Sequence, residues 1–126
     1  MGFLIFTGGC QMTHVEMIYD NNIIIGFRME GHAGFNTKGP DILCASLSTA
    51  SQMTINGILD WTGLSLDDVI KETDERKAIL HVCMPSSLHV STTAQQLFKS
   101  FEMYVEQLAE QYKEYVTLER RQKDDM

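Results

Sequence analysis

Around residue 40 the apolar residues of this chain change their period. Up to Glu30 they follow the two-residue alternation of strands, and from Asp41 they recur every three to four residues. Between the two lies Gly31-His32-Ala33-Gly34-Phe35-Asn36-Thr37-Lys38-Gly39-Pro40, with three glycines that accept backbone angles other residues avoid. Pro40 holds Gly39 extended and keeps a helix from starting earlier. A strand is therefore expected to end near Glu30, and a helix to open at Asp41 or just after it.

The residue types at this junction carry chemistry. Asp41 is a good helix N-cap, which sets Cys44 in the first turn. A thiol there lies close to unpaired backbone N–H groups, whose partial positive charge favours thiolate. His32 lies twelve residues upstream and can return toward Cys44 across the loop. A thiolate with a nearby imidazole is the minimum equipment for covalent acyl transfer. The residues alone also allow a plain connector between strand and helix.

Gly31-His32-Ala33 followed by Gly39-x-Asp41-Ile42-Leu43-Cys44-Ala45-x-x-Ser48 closely resembles the signature of the ribosomal-processing cysteine protease family. Those are small bacterial proteins that trim the N-terminal extension of a large-subunit ribosomal protein. Leu43 stands where the family usually has Val, a mild change at an apolar position. The resemblance covers roughly residues 13–118. It implies Cys44 as nucleophile and His32 as general base and acid. Gly31 and Gly39 belong to the motif's loop, and Asp41 and Ser48 match motif positions. Asp41 either caps the helix or orients His32. Backbone N–H groups near Cys44 and Ala45 are candidate oxyanion donors. The resemblance further implies a homodimer and cleavage after an aromatic residue in a short basic peptide.

Elsewhere the pattern reads as follows. His14 to Tyr19 and Ile23 to Met29 form a hairpin through Asp20-Asn21-Asn22. The helix from Asp41 to about Thr62 presents Leu43, Leu47, Ala50, Thr54, Ile58 and Trp61 on one face. Cys44, Ser48 and Ser51 adjoin it as a small-residue face, which suits either a bound peptide or close packing on a sheet. Gly63 is a C′ stop. Val69 to Thr73 and Ala78 to Met84 are further strands. In the second, Cys83 reads as a small buried hydrophobe and His81 as a half-exposed residue. A last helix runs from an N-cap within Ser86 to Ser91 as far as Glu119, with a stripe of Leu97, Phe101, Val105, Leu108, Tyr112 and Tyr115. At that length, on the order of 40 Å, it exceeds what the sheet needs. Part of the stripe, with Phe98 and Tyr104, therefore meets either the core or a second subunit.

With 126 residues one domain is expected, at 13–118, with a charged tail over 119–126. Residues 1–12 are expected outside the fold. Phe3 to Phe6 is too short for a secretory core, and no Lys or Arg precedes it. Translation from Met12 is the alternative, since the family's first strand begins almost at its initiator. A net charge of −7 argues against a nucleic-acid surface. The three cysteines form no CxxC pair, which suits a reduced cytoplasmic protein. The four histidines do not cluster with them, so no metal or other cofactor is expected. No transmembrane span appears.

The expected architecture is α+β, ββαββα: a mainly antiparallel four-stranded sheet packed with two helices. The expected function is a cysteine endopeptidase acting on a ribosomal-protein N-terminal peptide. Its rivals are a non-catalytic ribosome- or peptide-binding module and a redox-sensing thiol protein of the same fold.

Overall fold

The computed structural model describes residues 9–34, 41–74, 79–89 and 91–125. Strands β1 (Gly9–Asp20) and β2 (Ile23–Gly34) form the expected hairpin, and both run further toward the loop than the alternation suggested. Asn21 opens the two-residue turn with φ of 57°, a left-handed angle that asparagine tolerates. β1 takes in Gly9 to Met12 of the stretch expected outside the fold. Helix α1 (Asp41–Thr62) ends as its sequence required. Gly63 has φ of 74° and its N–H donates to the Leu59 carbonyl, closing the last turn. A short helix α2 (Leu66–Val69) fills what had read as a connector, its entry held by a reciprocal Ser65–Asp68 capping box. Strands β3 (Ile70–Asp74) and β4 (Ile79–Cys83) follow. Helix α3 (Thr92–Gln111) is capped by Ser91, whose side chain accepts from the Ala94 N–H.

The sheet is where expectation and structure differ. It has five strands, not four, in the order β3-β4-β2-β1-β5, and β5 (Val116–Gln122) lies parallel to β1. The sheet is thus mixed, and three helices accompany it rather than two. Tyr112 and Tyr115 continue the α3 stripe in spacing, and neither Gly nor Pro follows Gln111, so no helix stop is written there. The chain leaves the helix at Tyr112, and Val116 and Leu118 then alternate as strand residues. The charged end is tied down. Arg120 bonds Glu102 at 3.1 Å and Glu106 at 2.6 Å, both on α3. Arg121 meets Glu16 on β1, and Lys123 meets Asp20.

One sheet face carries the core. Val15, Met17, Phe27, Met29, Leu80 and Val82 are buried against Leu47, Ile55 and Ile58 of α1 and Phe98, Phe101 and Val105 of α3. Phe27 lies at the centre, 4.5 Å from the Phe101 ring and edge-on to Phe98 at 6.3 Å. Phe98 and Phe101 therefore belong to the core. Tyr104, which had been grouped with them, is exposed, as is Trp61, which had been expected on the buried stripe of α1. Ile55 takes the buried place beside Thr54.

Candidate active site

At one pole of the molecule β1 and β5 begin and β2 ends at Gly34. Leu43 of α1 shares a small cavity of about 280 Å³ with Leu108, Gln111 and Tyr112 of α3, so the first turn of one helix lies against the last turn of the other.

His32 is the antepenultimate residue of β2, so the strand continues through it instead of ending before it. Asp41 is the first residue of α1 and Cys44 the fourth, both in the first turn as expected. These three are described by backbone position alone. Gly39 and the rest of 35–40 lie outside the described residues. Gly31 is buried within β2 opposite Thr13 of β1. Ser48 is buried, and so is Ser51, whose hydroxyl donates to the Ser48 carbonyl at 2.8 Å. Of the two readings of this small-residue face, close packing holds for Ser48 and Ser51.

Helical geometry separates two sides of α1. Ser48, Ser51 and Ile55, at 4, 7 and 11 residues from Cys44, are buried on one side. Ala45, Ser46, Thr49 and Met53 fall on the other, where with Phe101 and Tyr104 they line a groove of about 470 Å³ between α1 and α3. That groove is the larger of these two cavities, and it opens away from the side of α1 on which position 44 falls.

Cys83 and the histidines at 14, 81 and 89 have structural surroundings. Cys83 is half-buried, and burial pushes its thiol pKa up against the weaker opposing pull of Lys71. Its Sγ lies 3.7 Å from the Met84 carbonyl. His81 lies on the outer sheet face between Arg28 and Glu72, and burial together with Arg28 lowers its pKa. His89 bonds the Met84 carbonyl at 2.7 Å, and His14 pairs with the Thr117 hydroxyl. Among the described residues no cluster of His, Cys, Asp and Glu could hold a metal ion, and no helix is long and apolar enough to cross a membrane.

One residue at this pole went unremarked in the sequence. Thr13 is fully buried, and its N–H donates to the Tyr115 carbonyl at 2.7 Å, where β5 is about to begin. The signal was available: Thr13 shares the inward phase of Val15 and Met17, a polar residue on a buried face.

The model of the cysteine protease Prp family matches residues 12–117. The chain belongs to that family. It is a member of a cysteine protease family whose match runs from within β1 to the start of β5. Solved structures share the fold. SMU.848 from Streptococcus mutans superposes with a TM-score of 0.77 at 24% identity, over 90% of this chain and 97% of that one. The essential ribosomal processing protease Prp from S. aureus, in complex with a substrate peptide, gives 0.72 at 22% identity, over 86% and 99%. A third, described as a hypothetical protein from Staphylococcus aureus, gives 0.62 at 16% identity, over 86% and 99%. No curated protein matches the chain.

Proposed function

We propose that this protein is a cysteine endopeptidase that removes the N-terminal extension of a large-subunit ribosomal protein, in a reduced cytoplasmic compartment, through a dyad of Cys44 and His32. The observation that carries the reading is the Prp family match over 12–117, which includes Gly31-His32-Ala33 and the Asp41-to-Ser48 block in the first two turns of α1. The S. aureus Prp solved with a substrate peptide has the same fold, which supports a peptide as substrate.

In this reading the Cys44 thiolate attacks the scissile carbonyl. The backbone N–H of Cys44, with that of Ala45 beside it, stabilises the resulting oxyanion. As the tetrahedral intermediate collapses, His32 gives its proton to the leaving amine, and the N-terminal fragment remains as a thioester on Cys44. His32 then takes a proton from water, hydroxide adds to the thioester carbonyl, and Cys44 leaves as thiolate with the carboxylate product. Asp41 in the first turn of α1 interacts favourably with the helix dipole or orients His32. Ser48 supports Cys44 from one turn below.

The protein acts as a homodimer that joins through the α1–α3 groove. Met53 is 68% exposed there, and Tyr104, also exposed, lines the same groove. Side chains of this kind are enriched at subunit interfaces. Because the groove lies on the side of α1 opposite position 44, such a dimer leaves both sites open.

Cleavage of the organism's own ribosomal-protein N-terminal peptide by purified, reduced protein tests the reading, with Cys44→Ala and His32→Ala alongside. Both variants should keep the wild-type circular dichroism spectrum and lose turnover. Absence of cleavage by the wild type on the matched peptide would favour a peptide-binding module.

A further inference from the structure

β1 and β2 pair residue for residue from Thr13 opposite Gly31 to Ile18 opposite Gly26. On the other side of Thr13 the next pair is Cys10 with Ala33. Two residues of β1, Gln11 and Met12, therefore stand where β2 has one, and that one is His32. This is a β-bulge, a local irregularity that bends a strand pair, raises its twist and changes the direction in which the opposing residue projects.

The bulge is held on its inner side by a contact that a glycine suits. A Cβ placed on Gly31 would lie 3.1 Å from the Thr13 Oγ1 and 3.5 Å from the Met12 carbonyl oxygen. Bare backbone at Gly31 lets β2 lie closely over the Thr13 hydroxyl. Thr13 in turn is fully buried between β2 and β5, with its N–H on the Tyr115 carbonyl. The residue before His32 is thus fixed by the Thr13 contact, and the residue after it by the Cys10–Ala33 pair.

We propose that the Gln11–Met12 bulge and the Thr13–Gly31 contact together form a positioning device for His32. They set the path of its backbone relative to the first turn of α1, and Thr13 and Gly31 are positioning residues, not catalytic ones. The inference rests on the dyad proposed above. It gives the glycine before the histidine a physical reason: a Cβ at 31 would crowd the Thr13 hydroxyl at 3.1 Å, so strand or hydroxyl must shift to admit it.

Two readouts test it: steady-state peptide cleavage, and the pH dependence of Cys44 alkylation by iodoacetamide, with Cys10 and Cys83 resolved by peptide mass. Misplacing a catalytic group by about an ångström costs rate far more than binding, so Gly31→Ala should lower kcat by roughly 10- to 100-fold while leaving KM close to wild type. Its alkylation profile should move toward that of His32→Ala. The double variant Thr13→Ala/Gly31→Ala removes the hydroxyl the new methyl would strike, so it should recover most of the lost kcat. Deletion of Met12, which takes one residue out of the bulge, should lower kcat without rescue by Thr13→Ala. A Gly31→Ala enzyme with wild-type kcat and alkylation profile would overturn the inference. So would a loss seen in KM alone, or one that Thr13→Ala fails to relieve. If His32→Ala itself behaved as wild type in both readouts, the dyad would fall and the positioning role with it. That pattern is distinct from a His32-sensitive, Gly31-insensitive enzyme.

Discussion

Cys44 and Cys83 are thiols of one chain in opposite settings. Burial raises the Cys83 pKa, so at neutral pH it stays a protonated, slowly reacting thiol. Cys44 stands in a helical first turn, where backbone N–H groups favour thiolate. Iodoacetamide at pH 7 should therefore label Cys44 faster than Cys83 by roughly tenfold or more, read by peptide mass spectrometry. Equal rates would contradict the assignment of the nucleophile. At the same scale, Phe27 meets both Phe98 and Phe101 and is fully buried. Phe27→Ala should cost about 3–5 kcal/mol in urea unfolding. The proposed pairing of His32 with Cys44 rests on residue type and spacing. Thr13 was less so: a lone threonine in an alternating stretch gains meaning only when register sets Gly31 opposite it.

Among the elements, the hairpin and α1 were readable because Asn21-Asn22, Pro40 and Gly63 punctuate them. β5 was not. Tyr112 and Tyr115 kept a helical spacing across a boundary with no breaker, and the charges of 119–122 looked like a solvated tail. Only with α3 and β1 in place do those charges find Glu102, Glu106 and Glu16. Tyr19 joins this network from β1, its hydroxyl donating to Glu102 at 2.5 Å. Burial and then Glu102 push its pKa up to about 12 from the ordinary 10.0, against the smaller opposing effect of Arg120. The folded state thus holds the Tyr19 proton more tightly than the unfolded chain does. The stability this confers is fully present below pH 10 and is lost as pH rises through 12. Tyr19→Phe should accordingly flatten the fall in melting temperature over that window. An unchanged pH slope in the variant would show that Tyr19 titrates freely in the folded protein.

At the scale of the whole molecule, the sheet covers one face of the core and α1 with α3 the other, which leaves the outer side of the helix pair with Met53, Met103 and Tyr104 exposed. Excess apolar surface on α3 was legible as a stripe, though its place was misread: Phe98 and Phe101 went to the core and Tyr104 to the surface. If two protomers join there, Tyr104→Asp should yield monomers in sedimentation velocity, whereas the same change at Trp61, which does not line the groove, should not. A wild-type monomer at micromolar concentration would remove the dimer from the account. The central claim, covalent catalysis by Cys44, is tested most directly by intact-mass measurement after rapid mixing with the matched peptide. The wild type should carry the N-terminal fragment as an adduct that maps to Cys44, and Cys44→Ala should carry none and release no product. Cleavage by Cys44→Ala at the wild-type rate would contradict the account.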